Sequence, residues 1–249
     1  MTAKKPPMGW NSWNTFGEHI NEKLIMEMAD QLVNDGYKDA GYEYVIIDDC
    51  WSLKERVDGK LVPDPKLFPS GMKALSDYIH SKGLKFGMYS CAGTKTCAGY
   101  PSSYGHEFED ARQFAEWGVD YLKYDFCNFP VSGDAKNAYL TMAMALRHTD
   151  RDILFAACNW GKYDPSGWMR SRGAHTYRST GDMFRRAEKL SGYLQTAGGK
   201  HRGATLPAAT MIWTCLSLAC TEKETSASAV AAMSSISSTL PCGHSLPPR

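Results

Sequence analysis

The chain has 249 residues, 43% apolar and 22% charged, with a formal net charge of +1 at pH 7, enough to bury one sizeable core. It lacks the basic footprint of a nucleic-acid-binding domain and the like-charged blocks of a solvating tail. No stretch of about 20 residues is continuously apolar, and the opening Met-Thr-Ala-Lys-Lys-Pro-Pro lacks the apolar segment of a signal peptide. Neither a nucleic-acid nor a membrane partner is therefore expected, and the chain reads as cytoplasmic, or as secreted if its N-terminus is incomplete.

In chain order, residues 8–10 are predicted as a short strand, followed by a helix over 22–34. The run Tyr44-Val-Ile-Ile is continuously apolar and mostly β-branched, as a strand covered on both faces is, and it ends on Asp48 and Asp49. A helix over 71–81 stops at Gly83 before a strand over 84–89, and a helix over 107–117 stops at Gly118 before a strand over 121–125. A helix over 134–148 leads to a strand over 153–158, and a segment around 164–172 to a last strand over 176–178. This makes about six βα units, an α/β class with a parallel sheet that is either doubly wound or closed as a barrel.

The polar residues favour the barrel. Trp13, Asp48, Asp49, Tyr89, Lys123, Asp125, Asn159, Arg178 and Asp182 fall at or just past the C-terminal ends of different strands, where an α/β barrel gathers its chemistry. A doubly wound sheet concentrates its site at one switch point, and neither GxGxxG nor GxxxxGK[ST] occurs. Carboxylates from several strands, one Lys, one Arg and aromatic rings suit a sugar, whose hydroxyls need hydrogen bonds and whose apolar face stacks on a ring. Asp48 and Asp49 have a plainer reading too, as caps of the following segment or partners of a Lys.

Eight cysteines, Cys50, Cys91, Cys97, Cys127, Cys158, Cys215, Cys220 and Cys242, include no CxxC pair, so a zinc site is disfavoured and small buried thiols are the simpler reading. Composition changes near residue 183. Beyond it the only acidic residues are Glu188, Glu222 and Glu224, and the Ser/Ala-rich run 226–239 has neither strand alternation nor a charged helical face. Residues 1–183 are therefore read as a barrel domain and 184–249 as an atypical tail.

Seven blocks carry a resemblance: Met8-Gly-Trp-Asn-Ser-Trp13, residues 38–51 with Tyr44-Val-Ile-Ile-Asp-Asp-Cys-Trp51, Asp64-Pro-Lys-Leu-Phe-Pro, residues 80–89, Lys95-Thr-Cys-Ala-Gly99, residues 117–125 with Tyr121-Leu-Lys-Tyr-Asp125, and Arg178-Ser-Thr-Gly-Asp182. In this order they resemble the signature blocks of melibiase-type α-galactosidases, the family 27 glycoside hydrolases. The resemblance implies a (β/α)8 barrel and a retaining hydrolase that releases terminal α-linked galactose from oligosaccharides. Asp125 takes the nucleophile's position and Asp182 the acid/base position, a pairing that requires carboxyls about 5–5.5 Å apart. By the same transfer Asp48, Asp49 and Lys123 bind sugar hydroxyls, Trp13 and Tyr89 form walls, and Arg178 contributes charge. Cys97 and Cys127 match a bridged pair, although a reducing compartment favours thiols; Cys50 matches a bridged cysteine whose partner is absent from the preceding residues. No metal or organic cofactor is implied, since two carboxylates and water suffice.

Three departures from the family qualify these expectations. Cys158-Asn-Trp160 stands where Cys-Glu-Trp is familiar, so Asn159 would meet a 2-hydroxyl through an amide. Lys162 occupies a position that is bulky in galactose-specific members and small in N-acetylgalactosamine-specific ones, which favours galactose over the α-N-acetylgalactosaminidase alternative. Residues 184–249 lack the family's later βα units; the expectation is a frameshift soon after Asp182, an incomplete barrel, and a catalytically silent chain as the other alternative.

Overall fold

A computed structural model describes residues 6–182. Its elements are β1 (Gly9–Asn11), α1 (Trp13–Phe16), α2 (Glu22–Asn34), β2 (Tyr44–Ile46), α3 (Gly71–Ser81), β3 (Lys85–Cys91), α4 (Glu107–Glu116), β4 (Tyr121–Asp125), α5 (Ala135–Arg147), β5 (Leu154–Ala157) and β6 (Thr176–Tyr177). All six strands are parallel and neighbours follow sequence order, β1-β2-β3-β4-β5-β6. What was expected of residues 184–249 lies outside the described residues.

The helices begin and end where side-chain chemistry directs them. Asn21 caps α2 by accepting the Leu24 N–H, and Asp134 caps α5 by accepting from Lys136 and Asn137, each satisfying donors that the first turn leaves free. Past α3 and α4 the chain turns through Gly83 (φ 70°) and Gly118 (φ 81°), left-handed conformations that cost a glycine nothing. The connection between β5 and β6 differs: Asp164 is left-handed (φ 46°), and Pro165 opens a 3₁₀ turn, Pro165–Gly167, instead of a long amphipathic helix.

The two sheet faces identify the architecture. Val45, Ile47, Phe86, Met88, Leu122, Tyr124, Phe155 and Ala157 pack with Leu24, Ile25, Met28, Met72, Leu75, Ile79, Phe114, Tyr139 and Met142 of the helices in one continuous core. On alternate positions Tyr44, Ile46, Tyr121, Leu154 and Ala156 form a separate cluster without any helix residue. Helices on one face only, with side chains filling the other, describe a curled barrel wall rather than a doubly wound sheet. Among the described residues, this is six strands of an incomplete (β/α)8 barrel. No helix among them is long and apolar enough to cross a membrane.

Candidate active site

Strand alternation carries the inner face of β4 from Tyr121 through Lys123 to Asp125. Pairing with β3 sets Lys123 beside Tyr89 and Asp125 beside Cys91. Two residues past β2, Asp48 closes the cluster: its Oδ2 accepts from Lys123 Nζ at 2.8 Å and from Asn11 Nδ2 at 2.7 Å, and its Oδ1 accepts the Asp49 N–H at 3.0 Å. Asp48 is 2% exposed and Asp125 5%, so both carboxylates are nearly dry and depend on these partners.

Electrostatics follow from that burial. Burial opposes the Lys123 charge, but Asp48 and then Asp125 more than offset it, and the ammonium is held well above the usual lysine value. Burial also raises the Asp125 carboxyl, opposed by Lys123 and by the Phe126 N–H, which donates to Oδ1 at 2.9 Å. The Tyr89 hydroxyl donates to Asp125 Oδ2 at 3.3 Å; burial, with Asp125 next, drives this phenol far up, so it remains a donor. The Lys123 ammonium lies 5.1 Å from the Tyr89 ring centroid.

Asp49 fastens a loop beside the cluster. Its Oδ1 accepts the Cys50 N–H at 2.8 Å and its Oδ2 the Ala98 N–H at 2.9 Å, with Thr96 as a further partner. Burial raises its carboxyl while those donors pull it down. The fastened loop carries Cys97, which is disulfide-bonded to Cys127 with Cα atoms 5.0 Å apart. Gly93 is required where this loop crosses the β4 exit, because a Cβ there would collide with the Cys127 carbonyl and Asn128.

The predicted residues are not equally placed. Asp48, Lys123, Tyr89, Asp125, Cys97 and Cys127 converge, and Asp49 braces them. Trp13, 38% exposed, joins through its N–H to Asn11 Oδ1, the same Asn11 that holds Asp48. Arg178 and Asp182 pair with each other at 3.2 Å beyond β6, and Asp182 is 61% exposed. Asn159 is fully buried: its Nδ2 donates to the Lys162 carbonyl at 2.6 Å and its Oδ1 has no hydrogen-bond partner. The buried Cys158 thiol is raised by burial first and then by Asp125, with Asp182 acting in the same direction and Lys123 and Arg178 opposing.

Sequence reasoning passed over Asn11, Ser12 and Thr96, although Asn11 and Ser12 lie inside the first motif. Ser12 Oγ accepts the Asp48 N–H at 3.0 Å. It also passed over a cleft of about 480 Å³ lined by Phe126, Phe129, Val131, Trp160, Lys162 and Tyr163. Lys162 Nζ stands 5.0 Å from the Trp160 ring centroid and 5.9 Å from that of Phe126. Cys50, Asn128, Trp160, Tyr163 and Asp164, all non-glycine and all in loops after strands β2, β4 and β5, are left-handed, a concentration of backbone strain seen at functional sites. Among the described residues one group has metal-ligand character, Cys97, Asp125 and Cys127, and with the disulfide closed its sulfurs are not thiolates.

The charged and aromatic groups gathered from the C-terminal ends of successive strands lie on the face where (β/α)8 barrels carry their chemistry. The chain belongs to the alpha galactosidase A family, whose model matches residues 5–190. It is 52% identical over 182 residues to alpha-galactosidase A of Cellvibrio japonicus, covering 73% of this chain and 45% of the relative. It is also 52% identical over 180 residues to the Coffea arabica alpha-galactosidase, covering 72% and 47%. Its fold is similar to that of the Saccharomyces cerevisiae alpha-galactosidase solved with raffinose, with a TM-score of 0.71 and 43% identity over 74% of this chain and 41% of that one. The chain thus spans under half the length of the curated relatives named here.

Proposed function

We propose that this chain carries the catalytic face of a retaining α-galactosidase that releases terminal α-linked galactose from oligosaccharides. The observation that carries the reading is Asp125, dry at the end of β4, facing Lys123 and hydrogen-bonded by Tyr89 and the Phe126 N–H. Those three groups stabilise a carboxylate that burial alone would neutralise, which is what a buried anionic nucleophile needs. Family membership and the raffinose bound by the S. cerevisiae relative support the substrate class.

In this mechanism Asp125 attacks the anomeric carbon while Asp182 protonates the departing glycosidic oxygen, giving a covalent galactosyl ester. Asp182 then takes a proton from water, which attacks the anomeric carbon and releases galactose with net retention. Asp48, Asp49 and Lys123 hold the hydroxyls, and Trp13 stacks on the sugar's apolar face. Asn159 meets the 2-hydroxyl if its loop shifts, since its amide is enclosed as it stands. Lys162, folded over Trp160 and Phe126, fills the space that an acetamide requires, so galactose is preferred to N-acetylgalactosamine.

A second reading, sugar binding without turnover, is favoured by the exposure of Asp182, because a general acid works best where water is excluded. A chromogenic α-galactoside separates them. Turnover by the purified chain that Asp125→Asn abolishes supports hydrolysis; galactose binding without turnover supports the second reading.

A further inference from the structure

The Cys97–Cys127 disulfide, which the glycosidase mechanism leaves idle, lies against the Asp125 carboxylate and the Tyr89 hydroxyl. Cys97 Sγ is 3.7 Å from Asp125 Oδ2, and ligand atoms of Cys97, Asp125 and Cys127 all lie within 4.8 Å of one another. A tetrahedral zinc ion bound by sulfur and oxygen holds its ligand atoms about 3.6–3.8 Å apart; Cys97 and Asp125 already have this spacing, and the two sulfurs, bonded to each other here, reach it only by separating on reduction. We propose that reduction of this disulfide converts the cluster into a Cys₂Asp site for a thiophilic divalent cation such as Zn²⁺, and that the bound ion occludes Asp125.

The chemistry balances as follows. A dithiol is oxidised to its cyclic disulfide as two electrons and two protons pass to the protein bridge, giving the Cys97 and Cys127 thiols. Zn²⁺ then displaces both thiol protons to solvent, and the Asp125 carboxylate supplies the third ligand. Water completes the tetrahedron from the Cys97 side, which is exposed.

The site survives reduction because other bonds hold the two loops. Ala98 N–H to Asp49 Oδ2 (2.9 Å), Asn128 Nδ2 to the Thr96 carbonyl (2.9 Å) and Thr94 N–H to the Asn128 carbonyl (3.1 Å) bracket Cys97 and tie its loop to the β4 exit. Cys127 follows Asp125 by two residues, so their separation is set locally. The Lys123 ammonium is paired with Asp48 at 2.8 Å, while two further carboxylates border the Cys97 loop, Asp49 through the Ala98 N–H and Asp125 beside Cys97 Sγ. The Tyr89 hydroxyl, 3.5 Å from Cys97 Sγ and 3.3 Å from Asp125 Oδ2, orients the carboxylate as a hydrogen-bond donor.

The test uses the full chain, reduced by a dithiol that is then removed, with Co²⁺ and Zn²⁺ as probes. The reduced chain is expected to bind one Co²⁺ with a thiolate-to-cobalt charge-transfer band, and the oxidised chain none. Zn²⁺ should protect Cys97 and Cys127 from alkylation, read peptide by peptide by mass spectrometry, while Cys50, Cys91 and Cys158 react equally with and without it. Cys97→Ser should remove the band, and Asp125→Asn should weaken binding at least tenfold. Equal binding by reduced and oxidised chains, or zinc protection of other cysteines in place of this pair, overturns the proposal. The alkylation map needs no variant to fold, and because the readout is metal binding, its failure leaves the hydrolase reading untouched.

Discussion

Replacing Lys123 by Met removes the ammonium that Asp48 and Asp125 face while keeping most of the side chain's volume. The Lys123–Asp48 pair is 2.8 Å apart, with side chains 17% and 3% exposed. Its gross attraction is about 6 kcal/mol at an effective dielectric of about 20, much of which offsets the cost of burying the two charges. Removing one partner of a buried pair costs about 3–5 kcal/mol. Asp48 keeps the Asn11 amide and the Asp49 N–H, so Lys123→Met should cost about 3–4 kcal/mol, toward the lower part of that range. Urea unfolding followed by tryptophan fluorescence measures this. The pH profile offers a second reading: with Lys123 gone the Asp125 carboxyl rises further, so the acid limb of kcat/KM moves to higher pH. A stability loss under about 1 kcal/mol, the worth of an exposed pair, together with an unmoved acid limb, would refute the reasoning.

Three other outcomes are expected. Gly93→Ala forces a Cβ into the Cys127 carbonyl and Asn128, and should cost about 1–3 kcal/mol in thermal unfolding, with KM for a galactoside rising as the Cys97 loop lifts. Arg56 clamps Asp110 with two bonds, 2.8 and 2.6 Å, and also binds the Gly59 and Ser102 carbonyls. Arg56→Met leaves Asp110 buried and unmatched, at about 3–5 kcal/mol, and the added change Asp110→Leu should recover most of that loss; proteolysis within residues 52–63 reports the same release. Burial raises the folded carboxyls of Asp49 and Asp125 above their unfolded values. Their stabilising contribution is therefore complete below the unfolded value of about 3.9 and is lost as pH rises through the folded values. The stability of Asp125→Asn relative to the parent chain should accordingly improve from about pH 4 to pH 7 in chemical unfolding, and a trend in the opposite direction contradicts the assignment.

Much of the sheet was legible because local signals agreed with each other. Gly83 and Gly118 stop helices where the chain needs left-handed turns, and the apolar runs at 44–47 and 153–158 mark strands buried on both faces. Where long-range contacts decide, the sequence was silent. In the connection after β2, isolated antiparallel bridges join Ser52 to Pro63 and Val57 to Lys60, and Arg56 is locked to Asp110 on α4 by a pairing across 54 positions. A triad-like Ser76, His80 and Asp120 also assembles only in three dimensions: His80 Nε2 lies 2.7 Å from Asp120 Oδ2, but Ser76 is buried and donates to the Gly118 carbonyl, at the end of the sheet opposite Asp125. In the candidate site, strand parity made Lys123 and Asp125 readable as neighbours. The enclosure of Asn159 was not readable, because it arises from a loop in which Trp160 and Tyr163 take left-handed conformations that no residue preference announces.

The central claim is that Asp125 is the nucleophile of a retaining hydrolase, and covalent capture tests it most directly. The chain is incubated with an α-galactosyl donor bearing a good leaving group and a 2-fluoro substituent that slows release, then digested and analysed by mass spectrometry. One galactosyl adduct on the peptide containing Asp125, absent in Asp125→Asn, is the expected result. An adduct on another carboxylate, or none while galactose still binds, would contradict it.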